Sequence, residues 1–239
     1  MMKRFFVIAL FVLGLGQLYA QPVRDTAWTK VGYFGLKLTQ VSLSSWSAGG
    51  ESALAFDSQI TYSADFKRDR QLWQNRLELG YGLTKNDGKS ARKTNDKIYF
   101  ASTYGYQIYK TLYWSALLNF NTQFAKGYDY NIEDSDFISK FMAPGYLMIG
   151  TGVTWSPNKI FTATFTPASW RGTIVADSRL SDEGAFGVDK GKHLLSEFGA
   201  NLKAEVNYEF LPNMKVYSRL ELYSNYLKDP QNIDIRWEV

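Results

Sequence analysis

The chain has 239 residues, with 27 Lys and Arg against 23 Asp and Glu, one His and no Cys. So even a charge balance gives no electrostatic case for nucleic-acid binding, and the missing Cys exclude disulfides and the usual zinc sets. Beyond the N-terminus there is no run of roughly 18 apolar residues, so helical membrane spans are excluded as well.

The first element is a secretory signal peptide over residues 1–20. Lys3 and Arg4 supply its positive start, residues 5–15 a short apolar run, and Ala20 the small residue before cleavage. Its removal takes two positive charges and lowers the formal net charge from +4 to +2. Residues 21–32 then form a periplasmic N-terminal segment, and residues 33–239 an all-β unit. Aromatic residues make up 16% of the chain, a composition that suits pleated, half-buried surfaces.

Period-two alternation predicts ten strands, at 34–43, 54–66, 73–83, 98–108, 114–124, 147–155, 161–165, 198–210, 214–226 and from 233 onward. In the second strand Leu54, Phe56, Ile60, Tyr62, Ala64 and Phe66 share one face, against Asp57, Gln59, Thr61, Ser63 and Asp65 on the other. Across these ten segments no Asp, Glu, Lys or Arg falls on the apolar face. The two best runs, 198–210 and 214–226, are 13 residues each, longer than ordinary strands of about 5–6 and sufficient for a tilted membrane strand of roughly 9–11. The expected fold is therefore an up-and-down antiparallel transmembrane β-barrel.

One hairpin can be registered from charge. With 211–213 as the turn and Phe210 opposite Met214, Glu209 faces Lys215, Glu205 faces Arg219, and Lys203 faces Glu221. These six are the candidate ion pairs of a lumen. Connections alternate between short (67–72, 109–113, 156–160, 211–213) and long (44–52, 85–96, 125–146, 167–197), with 228–232 a compact exception. That alternation matches short periplasmic turns and longer outer loops. Phe66, Trp73, Trp114, Trp155, Phe161 and Phe210 stand beside the short turns and read as an interfacial girdle. The last segment has only seven residues and ends on Glu238-Val239, which reads as a C-terminal truncation.

Chemistry-bearing constellations are sparse. His193, with Asp189 and Ser196 nearby, is a weak version of an acyl-transfer set; a plain polar loop is the expected reading. Asp129, Glu133, Asp134 and Asp136 lack the spacing of a calcium loop. Lys85, Lys89, Arg92 and Lys93 are interspersed with Asp87 and Asp96, as on a solvated loop. The outer-loop motif of Trp46, Gly49, Gly50 and Glu51 has glycines suited to a turn. The stretch 171–195 is long enough to fold inward as a plug. No cofactor is expected.

Two stretches carry a family resemblance: WTKVGYFGLKLTQVSLSSWSAGGESALAF from Trp28, and TPASWRGTIVADSRLSDEGAFGVDKGKHLLSEFGANL from Thr166. Both resemble a Bacteroidota family described only as domain of unknown function 3078, over most of the mature chain. The resemblance implies an exported outer-membrane barrel without assigned catalytic residues. The expected partners are outer-membrane lipid, lipopolysaccharide and the barrel-assembly machinery that inserts such proteins. The expected function is a passive channel or small-solute transporter. The alternatives are a non-conducting barrel that binds through its outer loops, a lipid-modifying enzyme dependent on His193, and a soluble lipocalin-like binder.

Overall fold

A computed structural model describes residues 27–43, 50–132, 136–212 and 214–239. The segment read as a signal peptide, Trp46 and Gly49 of the outer-loop motif, Glu133 and Asp134 of the acidic cluster, and Asn213 of the last short turn lie outside the described residues.

Ten strands form one antiparallel sheet in meander order: β1 (Trp28–Val41), β2 (Ala53–Arg68), β3 (Gln71–Asn86), β4 (Arg92–Tyr109), β5 (Leu112–Thr122), β8 (Gly145–Trp155), β9 (Phe161–Ile174), β10 (Leu194–Leu211), β11 (Met214–Asn225) and β12 (Ile233–Glu238). A separate two-stranded ribbon, β6 (Gly127–Tyr128) with β7 (Phe137–Ser139), lies within the long connection between β5 and β8.

The sheet is open. Among the described residues no ladder joins β1 to β12, so the closed barrel expected from alternation is not formed. Length is the physical obstacle: β1 offers 14 residues and β12 only six, leaving more than half of the β1 edge without a counterpart.

Alternation assigns the two faces as the sequence suggests. The ladder pairs Phe56 with Leu83, Ile60 with Leu79, Tyr62 with Leu77 and Phe66 with Trp73 on the outer face. Longer strands than expected bring Lys30, Arg68, Lys85, Lys93 and Asp96 to outer-face positions, all within five residues of a strand end. Lys93 and Asp96 pair with each other at 2.6 Å, and Asp96 also accepts from the backbone N–H groups of Phe124 and Ala125. The middle of the outer face stays free of charge.

Most strands outrun their expected bounds: β1 starts at Trp28, so residues 28–32 of the expected N-terminal segment 21–32 belong to the sheet, and two further boundaries change the reading. The β3–β4 hairpin extends so far that its connection shrinks to residues 87–91. Strand β9 does not stop at Phe165 but runs to Ile174, through Pro167. Its ladders to both neighbours shift register there, between Thr151 and Val153 and between Gly199 and Asn201. A β-bulge tolerates the proline, which has no N–H to give. It also resets the alternation: Phe161, Ala163 and Phe165 face outward before it, and Ala168, Trp170 and Gly172 after it. Arg171 is thereby turned inward.

Burial runs opposite to that of a water-soluble sandwich. Inner-face Ser115, Thr164, Thr166, Ser169 and Asn201 are buried, whereas outer-face Leu38, Trp114, Phe165 and Phe198 are 69%, 45%, 45% and 42% exposed. Among the described residues the conventional core is a knob at the long-loop end, where Ala143, Val175, Leu180 and Val188 are buried against Phe137, Phe186 and Leu195. The knob carries one short helix, α1 (Ser178–Glu183). Asp177 caps it by accepting from the Leu180 N–H at 3.0 Å, and Gly184 ends it at φ 74°, a left-handed conformation that glycine adopts without strain.

Candidate functional site

The candidate site is the polar interior. β4, β5 and β8–β12 curl around a cavity of about 580 Å³. Strand alternation delivers its charged lining: Lys97 from β4, Arg171 from β9, Arg219 and Glu221 from β11, and Asp234, Arg236 and Glu238 from β12. Tyr99, Asn119, Asn121, Tyr146 and Asn201 add neutral polar groups. A smaller space of about 50 Å³ continues past Asn119, Met148, Asn201 and Glu221 toward a belt of threonines. In that belt Ser115 donates to Thr154 Oγ1 at 2.8 Å, and Thr154 and Thr164 hydroxyls lie 3.0 Å apart.

Two arginines organise the walls. Arg171 holds Glu197 through both carboxylate oxygens, at 2.7 and 3.0 Å, and reaches Asp234 at 3.1 Å. Its guanidinium also lies 3.9 Å from the Tyr223 ring centroid. Such two-point pairing fixes direction as well as charge, and it ties β9, β10 and β12 together. Arg219 pairs with Glu205 at 3.1 Å and with Glu238 at 3.4 Å. Tyr223 lies across the cleft left by Gly199, where a Cβ would come within 2.0 Å of the Ser224 carbonyl oxygen.

Each candidate among the described residues has a definite place. Glu209 stands opposite Lys215, Glu205 opposite Arg219, and Lys203 opposite Glu221. The turn is tighter than expected: Leu211, not Phe210, faces Met214, and a register shift between Glu209 and Leu211 absorbs the difference. Glu209–Lys215 and Glu205–Arg219 are ion pairs, at 3.5 and 3.1 Å. Lys203 turns along its own strand to Glu205, at 3.2 Å, and leaves Glu221. Phe66, Trp73, Trp114, Trp155, Phe161 and Phe210 lie at the short-turn end. Trp28 joins Phe66 and Trp73 at 5.3 and 5.8 Å, and Trp155 meets Phe161 at 5.6 Å.

In the outer-loop motif, Gly50 has φ 129°, and Glu51 accepts from Asn86 at 2.7 Å and from Lys89 at 2.8 Å, tying the first long loop to the β3–β4 hairpin. The Lys89 hydrogen bond is the foremost cause that holds the Glu51 carboxyl below its ordinary range. Beyond Arg171, which belongs to β9, the stretch considered as a plug lines neither cavity; Val175, Leu180, Phe186, Val188 and Leu195 are committed to the knob. His193, Asp189 and Ser196 are not brought together: His193 Nδ1 lies 2.7 Å from the Val175 carbonyl, Asp189 pairs with Lys192, and the Ser196 hydroxyl accepts from Trp170. Asp129 accepts from Asn131 in a local turn.

Arg171 is the residue that sequence reasoning missed, because it was assigned to a loop. The signal was present: Ser169, Arg171 and Thr173 alternate with Ala168, Trp170 and Gly172 once the count restarts after Pro167.

No match to this chain was found among curated proteins or among solved structures. Over residues 38–128, from within β1 to β6, the chain matches the model of the family described as "Protein of unknown function (DUF3078)"; the second resembling stretch, from Thr166, lies beyond the matched span.

Proposed function

We propose that the chain is an outer-membrane β-sheet protein whose apolar outer face meets hydrocarbon and whose polar interior passes small solutes. The observation that carries this reading is the inverted burial: polar residues enclosed around a cavity of about 580 Å³ and aromatic and aliphatic residues exposed outside it. An exposed apolar surface of that extent marks a membrane or partner contact. The signal-peptide segment supports export, and the aromatic cluster at the short-turn end suits the lipid–water boundary. Hydrocarbon leaves no water for unpaired backbone groups, so in a bilayer the outer edges of β1 and β12 need strand partners. Mixed charge along the interior argues against strong selectivity among large ions.

Two measurements test the reading. The folded full-length chain, added to a planar bilayer, should give stepwise currents; a bilayer that stays silent removes the transport function. Gel migration should differ between boiled and unboiled samples, and the protein should fractionate with membranes; a freely water-soluble monomer removes the membrane assignment. A second reading is a non-conducting protein that binds lipopolysaccharide through its long loops. The built knob, with its own core and capped helix, favours it. Replacing residues 177–192 with a short linker should then abolish binding to lipopolysaccharide vesicles without preventing folding.

A further inference from the structure

Four residues from four strands line both the larger and the smaller space and form the waist between them: Asn119 of β5, Met148 of β8, Asn201 of β10 and Glu221 of β11. Their hydrogen-bonding state differs from that of the walls above. Of the seven charged side chains on the larger cavity, six are ion-paired: Lys97 with Glu78, Arg171 with Asp234, and Arg219 and Arg236 with Glu238. Glu221 is the seventh. Among the described residues its carboxylate has neither an ion pair nor a hydrogen bond, although register sets it opposite both Lys203 and Arg236. Lys203 is taken by Glu205 at 3.2 Å, and Arg236 by Glu238 at 3.1 Å.

Asn201 gives an independent indication. It is only 6% exposed, yet it lines both spaces, and among the described residues its carboxamide has no hydrogen-bond partner. Buried polar groups ordinarily have partners, so a carboxamide held open on a cavity wall is a docking point. Register sets Asn201 opposite Tyr223 and Lys203 opposite Glu221, so Asn201 and Glu221 are diagonal neighbours on one face.

We propose that this waist recognises a protonated amine, which makes it the specificity element of the interior pathway; the inference rests on reading the cavity as a solute site. An ammonium group brings three donors and a positive charge. The waist offers the Glu221 carboxylate and the carbonyl oxygens of Asn119 and Asn201 as acceptors, with the Met148 thioether beside them. An anion at the same place meets an uncompensated carboxylate, and every cation on the lining is already engaged.

The test uses the full-length chain folded in detergent, with methylammonium and acetate as probes in ligand-observed saturation-transfer NMR. Wild type should bind methylammonium in preference to acetate. Glu221→Gln should weaken methylammonium binding roughly tenfold, and Asn201→Leu less. Equal or stronger binding of acetate by wild type overturns the proposal, and so does methylammonium binding that Glu221→Gln leaves unchanged. If a variant fails to fold, the wild-type preference still decides. Amine binding together with a silent bilayer would remove the transport reading and leave this recognition intact.

Discussion

The knob and the sheet bury opposite kinds of residue within one chain. In the knob Leu180 is 2% exposed and Val188 4%, and polar groups cap and ring a dry centre, as water demands. In the sheet Thr166 and Ser169 are fully enclosed, while Phe165 on the same strand is 45% exposed. The boundary between the two patterns falls where β8 begins and β9 ends. Asp177 marks that boundary: it caps α1 and binds Lys140 at 2.5 Å.

The contrast can be broken by substitution. In the knob, Leu180→Ala leaves a cavity in a packed core and should cost about 2–5 kcal/mol. Protection of residues 175–193 from protease should fall, with the sheet unaffected; loss of the whole sheet would mean that the two regions are not independent. On the outer face, Leu202→Arg sits mid-strand between Phe165 and Leu222. It should cost about 2–4 kcal/mol if that face meets hydrocarbon, read as a lower denaturant midpoint in lipid vesicles. An unchanged midpoint would place the outer face in water and erase the contrast.

Smaller effects sharpen it. Asp177→Ala removes a cap worth about 0.5–2 kcal/mol. The hydrogen bond to Lys140, and next the one from the Leu180 N–H, hold the Asp177 carboxyl below its ordinary value of 3.8. Protonation therefore opposes the folded knob. The contribution of Asp177 is whole at neutral pH, starts to fail as pH drops past 3.8, and is lost below the depressed folded value. Pepsin cleavage within residues 175–193 should accelerate across that range, and Asp177→Asn should flatten the dependence. The mildest change is Lys215→Ala. Its pair with Glu209 is more than half exposed on both sides, so the loss should stay near 0–1 kcal/mol, seen as an almost unmoved denaturant midpoint.

Much of the sheet was legible because alternation is a local signal. The pairing of Glu205 with Arg219 follows from the spacing of charges on two neighbouring runs, and one residue of slip would bury the wrong face. What escaped depends on features that interrupt the count. Pro167 reads as a strand terminator until its missing N–H is seen to fall in a bulge, and with that misreading Arg171 was lost from the interior. The turn beside Phe210 hides a similar shift. α1 had a start signal in Asp177 and a stop in Gly184, but six residues are too few for periodicity to show. The open edge concerns the two strands most distant in sequence, and the free carboxylate of Glu221 follows from Lys203 and Arg236 pairing along their own strands rather than across the ladder; residue spacing is silent on both.

The bulge at Pro167 works as a phase changer. Upstream of it odd-numbered residues belong to the outside, and downstream even-numbered ones do. Deleting Pro167 would leave Phe165, Ala168, Trp170 and Gly172 on the outer face and Thr166, Ser169 and Arg171 on the inner one in unbroken alternation, so the faces would survive and only the bulge be lost. For this strand the bulge is thus a reserve of one residue, held at a site that carries no charge, that lets the registers to both neighbours shift while Arg171 keeps its face.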